Sequence, residues 1–131
     1  MLGIDTNILV RLLVADDSAQ TRRAQELVAD ATRDHGVVLV SLLVMIETEW
    51  VLRSRYELDK ATILGLLRSL LETVELSFED EPAIEEALYH WQDSSCGLAD
   101  CLIAAHNRRL GCRTTATFDK KAARLPGFIA A

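Results

Sequence analysis

Met1-Leu-Gly-Ile-Asp5-Thr-Asn7-Ile-Leu-Val10 reads as a short apolar strand over residues 2–5, an acid at its end, and a turn into a helix over residues 6–14. Asp5 is the one charge in this run. Asp, Thr and Asn are good N-cap residues, so local capping is the plain explanation of the triplet; a carboxylate wanted for chemistry is the other. The same grammar repeats downstream. Val37-Val-Leu-Val40 is fully apolar, as expected of a strand buried on both faces, and Ser41 can cap a helix over residues 42–56. Between these strands, Asp16-Asp17-Ser18 caps an amphipathic helix to about Asp34, with Ala24, Leu27, Val28 and Ala31 on one face and His35-Gly36 at its end.

The rest of the chain continues the alternation. Asp59 caps a helix over residues 60–71, and residues 74–76 form a third strand. Asp80 and Pro82 open a helix running through Trp91, proline being at home in a first helical turn. Ser94 or Ser95 caps a helix to Leu110, closed by Gly111. Residues 113–116 form a fourth strand, and residues 120–123 one last turn. Short apolar strands alternating with helices define an α/β fold with a mostly parallel sheet and helices on both faces. No repeat or linker interrupts it, so a single domain over residues 1–131 is expected.

Bulk properties narrow the function classes. Half of the 131 residues are hydrophobic, and mean hydropathy is +0.13, which excludes a disordered chain. The longest apolar stretch, residues 37–46, is too short to span a bilayer and no signal peptide is visible, so a cytoplasmic protein is expected. Cys96, Cys101 and Cys112 make no CxxC and read as reduced thiols; His35, His90 and His106 lack the spacing of zinc ligands. A net charge of −6 argues against a nucleic-acid binder that relies on bulk attraction. Yet eleven of the fourteen cationic residues are arginines, whose fork suits phosphate. Pairs such as Arg22-Arg23 and Arg108-Arg109 also suit a solvated helix face.

Three further acids stand in apolar or small company, as Asp5 does: Glu47 in Leu43-Val-Met-Ile-Glu47, Asp100 in Gly97-Leu-Ala-Asp100, and Asp119 in Thr115-Ala-Thr-Phe-Asp119. A buried carboxylate is costly unless paired, hydrogen-bonded or on a cation. Glu47 competes with Glu49, which has Arg53 at i+4 and reads as a solvated ion-pair acid. Asp100 opens a helix, where the macrodipole favours its charge, and Asp119 has capping of the final turn as its local explanation. In parallel sheets the ligand cleft lies beyond the carboxyl ends of the strands, so the four acids are expected to project toward one end. Their common consumer would be a divalent cation with oxygen ligands.

These segments together resemble the PIN-domain nucleases, and within them the VapC-type toxins of bacterial toxin–antitoxin pairs. The resemblance covers essentially the whole chain. It rests on Asp5-Thr-Asn7, Glu47-x-x-Trp50-Val-Leu52 with Tyr56, Leu98-Ala-Asp100-x-Leu-Ile103, and Thr117-Phe-Asp119-Lys-Lys-Ala-Ala-Arg124-Leu-Pro126-Gly127. It implies a three-layer α/β/α fold with a short central sheet of four or five strands, and Mg²⁺-dependent cleavage of RNA with Mn²⁺ as substitute. It also implies a homodimer and neutralisation by a cognate antitoxin protein. By matching position, Asp5, Glu47, Asp100 and Asp119 are the catalytic acids. Asp5 and Asp100 are expected to hold the metal, while Glu47 and Asp119 orient the attacking water. Asn7 and Thr117 are expected to hydrogen-bond behind them. One departure stands out: many similar sequences carry a further Asp where this chain has Gly97, which favours one tightly placed ion.

Three alternatives compete. A haloacid-dehalogenase-like phosphatase needs a second acid two residues after Asp5, where this chain has Asn7. A non-catalytic interaction module would use its acids only as caps. A PIN-type nuclease of RNA processing, or one directed at DNA, would keep the chemistry without the toxin role.

Overall fold

Val38 and Val40 have no exposed surface, and the strand they define is the centre of the first sheet. In a computed structural model describing residues 1–131, apart from the side chain of His35, the elements run in the order below. They are β1 (Leu2–Gly3), α1 (Thr6–Leu13), α2 (Ser18–His35), β2 (Val38–Val40), α3 (Leu42–Ser54), α4 (Lys60–Leu71) and β3 (Leu76–Phe78). There follow α5 (Glu81–Gln92), α6 (Leu98–Arg109), β4 (Thr115–Thr117), a 3-10 turn (Ala122–Arg124) and β5 (Phe128–Ala130). The fold is α/β with parallel strands. Its five strands are joined by hydrogen bonds as a sheet of three, in the order β1-β2-β3, and a sheet of two, β4-β5. The backbone divides into two compact units, Met1–Glu79 and Asp80–Ala131, each described on its own.

In the first unit, Leu2 pairs with Val38 and Val38 with Leu76, all parallel. Parallel strands need crossover helices, which α1–α2 and α3–α4 supply. Each helix begins on a capped N-terminus. The side chains of Asp5, Asp17, Ser41 and Asp59 accept hydrogen bonds from the backbone N–H of Ile8, Gln20, Val44 and Thr62. Such a cap contributes about 1 kcal/mol. Beneath the helices lie Leu9, Met45, Leu52, Ile63 and Leu67, each nearly or fully buried and worth roughly 1.5–3 kcal/mol. Tyr56 closes the opposite end of this unit. Its hydroxyl donates to Asp16 (3.0 Å) and accepts from Arg11 (3.3 Å), while Arg11 also pairs with Asp16. Desolvation opposes ionisation of Asp16, but the hydrogen bonds from Tyr56 and Arg11 hold its carboxyl below the usual range.

Several boundaries differ from the sequence reading: the fourth strand, expected at 113–116, is Thr115–Thr117, the last turn, expected at 120–123, is Ala122–Arg124, and the helix expected to residue 56 ends at Ser54. The third strand lies two residues later than the expected 74–76: the Leu76 amide donates to Thr73, making residues 73–76 a turn, and Val74 is exposed. The helix expected from Ser94 or Ser95 begins only at Leu98. Ser94 instead accepts from the Cys96 amide (2.9 Å), so the serine caps a turn and Gly97 occupies the N-cap. A fifth strand, Phe128–Ala130, within the expected four or five, lies where the residue pattern placed none. All three cysteines are free, Cys96 and Cys101 being buried. Among the described residues, no helix is long and apolar enough to cross a membrane.

In the second unit α5 and α6 pack together through Ala83, Ile84, Ala87 and Leu88 on one side and Leu98, Cys101, Leu102 and Ala105 on the other, all buried. Asp80 ties their ends. It sits at φ 51°, a left-handed conformation that aspartate tolerates, and makes no side-chain cap. Its carboxylate instead meets His106 Nδ1 at 2.7 Å and pairs with Arg109. Burial pushes the Asp80 carboxyl up, but the hydrogen bonds from His106 and Arg109 outweigh it and leave the group below its ordinary value. A depressed folded-state value means stabilisation that is present above about pH 4 and lost as pH falls through the folded value. Asp80→Asn keeps the left-handed backbone and removes the charge. Its melting temperature should lie several degrees below wild type at pH 7, with the gap closing toward pH 3 in thermal melts followed by circular dichroism.

Candidate active site

The parallel order of the first sheet puts the carboxyl ends of β1, β2 and β3 at one edge, followed by Asp5, Ser41 and Glu79. Asp5 is exposed; its Oδ1 accepts from Ile8 N at 3.2 Å. Glu79 Oε1 accepts from the Leu42 amide at 2.9 Å, so this acid and Ser41 together cap the helix that carries Glu47. Glu79 was missed in the sequence. The signal was there: a third strand ending at Phe78 puts an acid directly after it, as Asp5 follows the first.

On α3 the buried stripe is Leu42, Met45, Thr48, Glu49 and Leu52, at spacings of three and four. Glu49 lies on that stripe and is 5% exposed, held by Arg53 Nε at 2.8 Å and Nη2 at 3.4 Å. The expected pairing with Arg53 is present, but Glu49 is not a solvated acid. Glu47 faces the other way and is exposed, in company with exposed Leu43 and Trp50. Its apolar neighbours are thus a surface, and the expectation of a buried carboxylate does not hold for Glu47, Asp5 or Asp119.

In the second unit Asp100 lies in the first turn of α6, half-buried, where the helix dipole favours its charge. A Cβ built on Gly97 would lie 3.9 Å from Asp100 Oδ2, in ordinary contact. Asp119 is locked in a turn. Its amide donates to Thr117 Oγ1 (3.0 Å), and its Oδ1 accepts from the amides of Lys121 (2.8 Å) and Ala122 (3.3 Å). Thr117 therefore supports the backbone of Asp119 and not its carboxylate. Asn7 is exposed, and its side chain forms no hydrogen bond among the described residues. Two contacts hold α6 to this turn's strand pair. Asn107 donates to Thr115 Oγ1 at 3.0 Å, and Gly127, at φ 92°, lets β5 approach Ala104 and Arg108.

Asp16, Glu26, Asp30, Asp34, Glu49, Asp80 and Glu86 each have an Arg or His partner; Asp5, Glu47, Asp100 and Asp119 have none among the described residues, as is also true of acids with no proposed role in the chemistry, Glu79 among them. Their donors are all carboxylate oxygens, the set a hard divalent cation prefers. Within neither unit do three or more His, Cys, Asp or Glu side chains gather, among the described residues. Asp5 and Glu47 belong to the first unit, Asp100 and Asp119 to the second.

The chain matches the PIN domain over residues 3–127, a span that includes both units and all four acids, and it belongs to the PIN-domain family. It is thereby a nuclease of a class that uses divalent metal ions. No curated protein matches the chain.

Gly97 supplies a direct check on Asp100. Its backbone is extended (φ −75°, ψ 160°), so an L-residue fits without strain. Both Gly97→Asp and Gly97→Asn would cap α6, but only the aspartate adds a charge beside Asp100. Without metal the aspartate variant should melt below the asparagine one, through like-charge repulsion. Adding millimolar Mn²⁺ should then raise its melting temperature more than it raises that of wild type or Gly97→Asn. Equal shifts in all three would remove Asp100 from the metal's ligands.

Proposed function

We propose that this protein is a Mg²⁺-dependent endoribonuclease, the toxin of a toxin–antitoxin pair, acting as a single domain over residues 1–131. The observation that carries the reading is the PIN match through both units, coinciding with four carboxylates that no protein cation neutralises. Asp5 and Asp100 would hold the ion. When bound, a divalent cation acidifies water and offsets the charge that builds on phosphate oxygens. Glu47 accepts a proton from the attacking water and aims it. Asp119 would orient the same water from a carboxylate that the Lys121 and Ala122 amides hold in place, and solvent would give the leaving 3′ oxygen the proton that balances the one taken by Glu47. Attack by water in line with the leaving oxygen produces a 5′-phosphate and a 3′-hydroxyl, because the RNA 2′-hydroxyl takes no part. Lys120 and Lys121, exposed beside Asp119, bind flanking phosphates. Such a local basic rim makes the net charge of −6 tolerable.

The toxin reading brings two partners. Leu43 and Trp50 are large apolar residues exposed on α3, a surface suited to a second copy of the chain and to an amphipathic antitoxin helix. The antitoxin would silence the acids with an arginine, whose fork matches a carboxylate.

RNA cleavage should vanish in EDTA and return with Mg²⁺ or Mn²⁺, with 5′-phosphate ends on the products; equal activity in EDTA would end the proposal. Asp5→Asn and Asp100→Asn should each lower kcat at least a hundredfold. Asp5→Asn should not lower the melting temperature of the metal-free protein, since Asn caps as well as Asp, and Asp100→Asn, which gives up only a charge favoured by the helix dipole, should lower it by no more than a few degrees. The protein should sediment as a dimer at tens of micromolar, and Trp50→Asp should shift it toward monomer.

A further inference from the structure

Tyr89 is 71% exposed and lies outside the buried stripe of α5. Its ring meets His90 edge-on, with centroids 5.3 Å apart and planes at 76°. Together they rim a hollow of about 330 Å³ in the second unit, completed by Asp93, Ser95, Lys121 and Arg124. Neither Lys121 nor Arg124 has an ion-pair partner among the described residues, whereas Arg108 and Arg109 of the same unit are engaged by Glu86 and Asp80. The hollow adjoins the last acid, because the Lys121 amide is itself a donor to Asp119.

We infer that this hollow is a subsite for one unpaired nucleotide of the RNA, flanking the phosphate that is cleaved. The inference takes its ligand class from the nuclease reading above. Its size falls at the small end of ligand pockets. An exposed tyrosine ring, set nearly perpendicular to the neighbouring histidine ring, offers a surface on which a base can stack without regard to sequence. Lys121 and Arg124 supply the charge for the nucleotide's phosphate. Asp93 repels phosphate but accepts from a ribose hydroxyl or a base amino group, and Ser95 can do either. That mixture suits a whole ribonucleotide better than a phosphate alone. Stacking on Tyr89 requires a base free of its partner, so the substrate at this position is single-stranded.

The test is binding of a fluorescein-labelled single-stranded RNA to the full-length protein in EDTA, where cleavage does not intrude. Tyr89→Ala should weaken binding about tenfold, as loss of one stacked base does. Tyr89→Phe, which keeps the ring, should bind as wild type does. Arg124→Ala should weaken binding and lower the slope of log affinity against log salt by about 0.7, the loss of one phosphate contact to a single strand. In Mg²⁺, Tyr89→Ala should raise KM for the same RNA. Unchanged affinity in Tyr89→Ala would overturn the subsite, as would an equal loss on duplex RNA or a loss confined to binding of a protein partner. Absence of metal-dependent cleavage by the wild type would sink the nuclease reading alone, since the binding measurement decides the subsite without it.

Discussion

Parallel strands cannot be joined by tight turns, so the carboxyl end of each must pass the chain into a helix. That constraint organises the first unit. Three strands in the order β1-β2-β3 deliver Asp5, Ser41 and Glu79 to one edge, where helix N-termini present unpaired backbone donors. Each of these side chains answers such a donor: Asp5 that of Ile8, Ser41 that of Val44, Glu79 that of Leu42. An acid at this edge is therefore wanted for stability before any chemistry is considered. Capping uses one carboxylate oxygen of Asp5, and its other oxygen makes no bond among the described residues. Asp119 repeats the arrangement at the 3-10 turn of the second unit. Cap and ligand are compatible roles for one carboxylate.

Ionic groups divide between architecture and chemistry. Arg11, Asp16 and Tyr56 lock the ends of α1, α2 and α3; Glu49 and Arg53 staple α3; Asp80 and Glu86 bind α5 to α6 through His106, Arg108 and Arg109. Pairs with one partner largely buried, such as Glu49 and Asp80, have few alternatives, because a carboxylate stripped of its cation there keeps its desolvation penalty. The arginine-rich composition is thus spent mostly on structure. What is left near Asp119 is a short basic run, Lys120, Lys121 and Arg124, which is where a polyanion is best received. Bulk charge of −6 says little about such a place.

Local caps were more legible in the sequence than the burial of the residues around them. Asp59 and its helix, Lys60–Leu71, were legible to the residue because the cap bond runs from Thr62 to Asp59 over three positions. Ser94 misled for the same local reason, since its bond to the Cys96 amide makes a turn that resembles a helix start. The shift of β3 followed from Val74, apolar but exposed in a turn, and it concealed Glu79. Glu47 and Glu49 were assigned opposite degrees of burial from their true ones. A helical wheel gives the angle between two residues, and not which side meets the core.

The sequence by itself determined the alternation of strand and helix and the positions of most caps, because these depend on hydrogen bonds and periodicities a few residues long, and its motifs pointed to the PIN domain. Tertiary structure alone decided that the strands hydrogen-bond as three and two, that Glu49 lies in the core, and that Tyr89 stands beside Lys121 and Arg124. It also decided the partners of Asp80, which lie 26 and 29 residues away. Contacts of that range are chosen by packing, where the burial of neighbouring apolar surface selects which charged groups meet, and no local pattern of residues carries that choice.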